Sequence, residues 1–131
     1  HYPYLSVCAT STHDMSPLRA WWREDRGVTQ RFWNQVLGRP GEAPADCNPD
    51  ISRSIIMMHL QSASMLAILP LQDYLSLKPE LCLADPEKER INVPAISPFY
   101  WRFRMKPTLE SLINDDITEY IHRLVRECGR K

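Results

Sequence analysis

The sequence lacks a surplus of charge, an apolar run long enough to cross a bilayer, and any closely spaced pair of cysteines. Sixteen Lys and Arg stand against sixteen Asp and Glu, so the formal net charge is zero. No global field therefore draws the chain to a polyanion, and no nucleic-acid partner is expected. Arg102 and Arg104, interleaved with aromatics, are too few to change that. Without a membrane-spanning run, or a basic segment leading into an apolar one and a cleavage site, the expectation is a soluble, unexported, cytoplasmic chain with no membrane partner. Cys8, Cys47, Cys82 and Cys128 lie far apart with no CxxC spacing. They read as reduced, mostly buried thiols, and His13, Asp14 and a cysteine have no recognisable ligand spacing, so no metal and no cofactor is expected. Internal repeats and low-complexity tracts are also missing.

What is present is 131 residues, 44% of them apolar, the size of one domain. The chain is therefore taken as a single unit over 1–131, and a start at His1 rather than Met is expected of a chain that is processed, tagged or cut from something longer. Tyr4 to Thr10 ("YLSVCAT") reads as a short buried strand. Ser16 and Pro17 then suit a helix cap and first turn, with Leu18, Trp21, Trp22, Phe32, Trp33, Val36 and Leu37 as apolar faces and Gly27 as a break. "GRPGEAPADCNP" reads as a loop. A helix is expected from Asp50, with Ile51, Ile55, Met58 and His59 inward.

"SMLAILP" supplies a second short strand near Met65 to Leu69, and "LQDYLSL" a short helix opening on a Gln-Asp pair. "KPELCLADPEKER" reads as a surface loop, and "INVPAISPFYWRFRM" as an irregular segment lying against the body. A terminal helix is expected from Asp116, with Glu119 completing a capping box and Ile117, Tyr120, Ile121, Leu124, Val125 and Cys128 on one face. Strand, helix, strand, helix is the grammar of a parallel α/β protein. Two strands alone satisfy neither the edges nor the faces of a sheet, which points to part of a larger barrel.

Where the first strand stops, the chain places "STHD", and in (β/α)8 barrels the working side chains emerge where strands end. A carboxylate at Asp14 suits a general base, a metal ligand or a partner for a developing cation, and an imidazole at His13 suits donation to a ligand hydroxyl. The plainer alternative is that the pair caps the following helix. Trp21 and Trp22 suit packing better than sugar stacking, His59 suits a satisfied core position, and His122 a solvated face.

"TSTHDMSPLRAWW", "SMLAILPLQDYLSL" and "RINVPAISPFYWRFRM", in this order, resemble the C-terminal quarter of the 4-alpha-glucanotransferases (amylomaltase or disproportionating enzyme), nearest the plant cytosolic branch that acts on maltose and heteroglycans. The resemblance runs from Tyr4 to about Arg130. It implies an α/β fold, the last two βα units of a (β/α)8 TIM barrel, mostly helical with two short parallel strands. It also implies a retaining transferase that moves α-1,4-glucan segments among maltooligosaccharides, starch or glycogen. By the same resemblance Asp14 is the carboxylate that holds the donor sugar's hydroxyls in the transition state, and His13 contacts that sugar. Asn92 reaches bound glucan, and Trp101 packs its segment against the barrel. The chain departs from the common pattern at Met15, Ser16 and Pro17, at Ala95, and at Tyr100.

Neither the family's nucleophile motif nor its acid/base motif occurs in this sequence. The expectation is thus an inherited catalytic identity without activity in the isolated chain, which is also open to self-association. The competing class is a non-enzymatic helical interaction module or a glucan-binding module.

Overall fold

Alternation along the first apolar run buries Cys8 while leaving Leu5 and Val7 exposed, the period-two pattern of a strand covered on one face. In the computed structural model, which describes residues 3–98 and 101–130, only Val7–Cys8 forms β1 and only Leu66–Ala67 forms β2. The strands expected over Tyr4 to Thr10 and Met65 to Leu69 are thus shorter than the apolar runs that contain them. The two run parallel, Val7 opposite Leu66 and Cys8 opposite Ala67, the pairing expected for strands joined by a helical crossover. Leu66 and Ile68 join Leu5 and Val7 among the exposed apolar residues, whereas Leu69 is buried with the helical core.

The helices are α1 (Leu18–Glu24), α2 (Arg26–Arg31), α3 (Pro49–Leu60), α4 (Leu71–Leu75), α5 (Leu109–Ile113) and α6 (Ile117–Glu127). α2 runs on into a π-helical turn, Phe32–Val36. The break between α1 and α2 falls at Asp25, not Gly27. Asp25 is extended and its side chain accepts from the Val28 N–H at 3.0 Å, starting a fresh helix. α3 is capped by Asn48 rather than begun at Asp50, because Pro49 fills the first helical position and the Asn48 side chain accepts from Ile51 N–H at 3.0 Å. Ser16 does not cap α1 but hydrogen-bonds Glu24.

The capping box at α6 is likewise absent. Asp115 accepts from Ile117 N–H at 2.8 Å, Asp116 is taken by Lys78, and Glu119 pairs with Arg126. α6 ends in a Schellman turn, with Gly129 at φ 71° and N–H bonds from Gly129 to Arg126 O and from Arg130 to Val125 O. Arg130 then fans its guanidinium over the carbonyls of Leu60, Ser62, Ser64 and Met65, the turn that feeds β2.

α3 is the shared wall of two cores. Ile51 and Ile55 pack with Leu18, Trp22, Ala43 and Cys47. Ile56 and Leu60 pack with Leu69, Leu75, Leu77, Leu81, Ile117 and Leu124. Met58, expected inward, is 40% exposed, and Val36 is also exposed. The segment expected as a surface loop folds into two 3₁₀ turns, Pro79–Leu81 and Pro86–Glu89, with Leu81, Cys82, Pro86 and Glu89 buried. Trp22 is fully buried, meets Trp21 and Phe32 edge-on at 6.0 and 6.3 Å, and donates its indole N–H to Pro44 O at 2.9 Å. Trp22→Ala should therefore lower stability by about 3–5 kcal/mol, read as a shift of the denaturant midpoint.

The four cysteines are free thiols, three buried and Cys128 half-buried. Burial pushes Cys47 up to about 12 and Cys82 up to about 11, which leaves both as unreactive neutral groups. Among the described residues no helix is long and apolar enough to cross a membrane.

Candidate functional site

β1 ends at Cys8, and the chain leaves the sheet through Thr10 and Ser11 into a turn in which Met15 N–H bonds Thr12 O at 3.1 Å. His13 and Asp14 stand on that turn with side chains about half exposed, His13 Nε2 lying 3.4 Å from Asp14 Oδ1. Neither caps α1. That helix opens on Pro17 without a side-chain cap, and its Leu18 N–H bonds Asp73 instead.

Asn92 arrives from the segment after the second 3₁₀ turn. Its side-chain N–H donates to Asp14 Oδ1 at 2.6 Å and its backbone N–H to His13 O at 3.1 Å. Trp101 brings its ring to 5.0 Å from the His13 ring. Its side chain is 60% exposed and stands beside the His13 ring. His13, Asp14, Asn92 and Trp101 thus meet on the turn beyond the C-terminal end of β1. Tyr100 lies outside the described residues. Among the described residues no group of three or more His, Cys, Asp or Glu side chains is placed to hold a metal ion.

Two buried carboxyl groups that sequence reasoning passed over hold this arrangement from beneath. Asp73, in the first turn of α4 and 1% exposed, accepts from the Leu18 N–H at 2.8 Å and from the Thr10 hydroxyl. Glu89, 4% exposed, accepts from Arg19 Nη1 at 2.8 Å and from Leu83 N–H at 2.9 Å. Gln72 reaches the Glu89 carbonyl at 3.4 Å. The one sequence signal was the Gln-Asp pair itself, read only as a helix start.

Burial pushes the Asp73 carboxyl up, opposed by its bonds from Thr10 and Leu18 and by His59 nearby. Burial raises Glu89 as well, against Leu83 and Arg19. A raised carboxyl binds its proton more tightly in the folded than in the unfolded chain, so its contribution to stability declines as pH rises from about 4 toward the folded value. Asp73→Asn removes that titration. Urea midpoints measured from about pH 4 to 7 should move in the variant's favour, relative to the parent, as pH rises.

A cavity of about 370 Å³ lies beside the turn, lined among others by Thr10, Met15, Trp21, Phe32, Met58 and His59. None of His13, Asp14 and Asn92 lines it. His59 Nδ1 is satisfied by Ile55 O at 2.8 Å, as a packed histidine should be.

Helices around a parallel strand pair define an α/β protein, with a polar cluster where the loop between β1 and α1 meets the segment after the second 3₁₀ turn. The chain belongs to glycoside hydrolase family 77, the 4-alpha-glucanotransferases, whose sequence profile matches residues 1–110. It is 45% identical over 130 residues to 4-alpha-glucanotransferase DPE2 of Oryza sativa subsp. japonica, covering 98% of this chain and 14% of that protein. It is 37% identical over 112 residues to the 4-alpha-glucanotransferase of Chlamydia trachomatis, covering 85% of this chain and 21% of the relative. In fold it is similar to the amylomaltase from Streptococcus agalactiae solved in complex with acarbose, with a TM-score of 0.71 at 17% identity over 98% of this chain and 23% of the other. The chain therefore spans between about a seventh and a quarter of the length of these proteins.

Proposed function

We propose that this chain is the C-terminal part, the last two βα units, of the (β/α)8 catalytic barrel of a retaining 4-alpha-glucanotransferase. The whole enzyme would transfer α-1,4-glucan segments to maltose, maltooligosaccharides or polysaccharides such as starch or glycogen, without a cofactor and in the cytoplasm. Asp14 accepts from the donor sugar's hydroxyls as the ring flattens toward an oxocarbenium ion, His13 contacts the same sugar, and Asn92 binds the glucan. Elsewhere in the enzyme lie the nucleophile and the acid/base that a double displacement needs.

The single observation that carries this reading is the 2.6 Å bond from Asn92 to Asp14. It joins two loops 78 positions apart in sequence, at the end of parallel strands where barrel enzymes keep their chemistry. Both this bond and the His13 contact fall on Oδ1. They aim the carboxylate while Oδ2 is left to accept from a sugar hydroxyl. The tilted indole of Trp101 offers an apolar plate beside it, and the names of the relatives point to the same substrate class.

The test is to incubate the full-length protein with maltotriose and separate the products by chromatography. Glucose together with longer maltooligosaccharides is expected. Glucose and maltose without longer chains, or no products at all, would sink the reading.

A further inference from the structure

We propose that Asp73 is the positioning residue of this site, fixing the loop that carries His13 and Asp14 by holding both of its ends; the inference rests on the role given to Asp14 above. The loop from Ser11 to Pro17 begins after Thr10 and hands over to α1 at Leu18. Thr10 hydrogen-bonds one carboxyl oxygen of Asp73, and the Leu18 N–H bonds the other at 2.8 Å. One side chain from a different helix thus closes the loop at its base. It also replaces a cap that α1 does not have, since Pro17 has no side-chain acceptor and Ser16 is occupied with Glu24.

A carboxyl group 1% exposed is costly to bury unless its oxygens are satisfied. Here the satisfying partners are the two ends of the site loop. The neighbouring Gln72 reaches the Glu89 carbonyl, close to the segment that carries Asn92. α4 is therefore the common footing for both halves of the Asn92-to-Asp14 contact. Asp73 itself touches neither His13 nor Asp14 through any hydrogen bond, so its influence on chemistry runs through loop geometry alone.

The test uses the full-length protein and compares Asp73→Ala, Asp73→Asn, Thr10→Val and Asp14→Asn in maltotriose transfer, with circular dichroism and melting to follow the fold. Displacing a reacting group by an ångström costs about a hundredfold in rate, so Asp73→Ala is expected to lower kcat by about 30- to 100-fold while KM changes by less than about threefold. Asp73→Asn is expected to restore kcat to within about fivefold. Its amide keeps an acceptor for Leu18 N–H and offers an N–H to the Thr10 oxygen. A folded Asp73→Ala with parental kcat overturns the inference, as does a folded Asp73→Asn that is no better than Ala.

Should Asp73→Ala fail to fold, Thr10→Val decides. It removes one tie and leaves the carboxyl, and a fall in kcat of about 5- to 20-fold supports the inference while parental kcat overturns it. Asp14→Asn separates the two levels of the argument. Parental turnover there removes the role of Asp14 and this inference with it, whereas an inactive Asp14→Asn beside a normal Asp73→Ala overturns the inference alone.

Discussion

Asp14→Asn in the full-length protein is expected to lower glucan transfer by about two to four orders of magnitude, or about 3–5 kcal/mol of transition-state stabilisation, with the melting temperature unchanged. The substitution keeps size and shape. In the mechanism proposed above it removes a charge that faces a developing oxocarbenium ion, and it replaces one acceptor oxygen with a donor. The side chain is about half exposed and caps no helix, so the fold does not rest on its charge beyond one exposed bond from Asn92. Asn92 meets an amide in place of the carboxylate, and the pair loses a charge-assisted bond of 2.6 Å. The measurement is kcat for maltotriose disproportionation beside a thermal melt. Parental turnover would mean that Asp14 has no part in the chemistry.

The 131-residue chain alone is expected to give no transfer or hydrolysis above background, a larger effect still. A retaining displacement needs a nucleophile and an acid/base set about 5 Å apart across the glycosidic bond. The acidic side chains bordering the loop are already engaged. Asp73 holds Thr10 and Leu18 from a buried position, and Glu24 is bound to Ser16 with Arg90 at 3.7 Å. The isolated chain also leaves Leu5, Val7, Leu66 and Ile68 exposed along its two strands. Unpaired strand edges under an apolar face favour association between copies, so sedimentation should report species larger than a monomer. Products that appear with maltotriose, survive Asp14→Ala and vanish on denaturation would contradict the assignment of the missing roles to other parts of the enzyme.

The direction of the strand pair is readable in the order of apolar runs because helices lie between them, and a long helical crossover is the usual way to join parallel neighbours. Strand ends are not readable, since pairing stops where a partner stops and Leu66–Ala67 offers only two residues. Caps fail where tertiary partners intervene. Asp116 looks like a cap until Lys78, 38 positions earlier, takes it, and Asn48 outcompetes Asp50 because Pro49 fixes where the first turn begins. His13, Asp14 and Asn92 stand out through motifs that resemble a family, and the fold brings those three together. Asp73 does not stand out. A carboxylate in the first turn of a short helix has a sufficient local reason to be there, and its burial follows only from the docking of that helix on the base of another loop.

Arg130 makes the timing of assembly unequal along the chain. Its guanidinium bonds carbonyls 65 to 70 positions earlier, so the turn from Leu60 to Met65 acquires those bonds only after α6 has docked. Contacts of such separation form late, because the intervening chain must be closed before they contribute. The turn feeding β2 is thus among the last parts to become rigid and among the first to loosen. In hydrogen exchange, amides on either side of Ser62 should open together with the final helical turn of α6, ahead of the interior amides of α3.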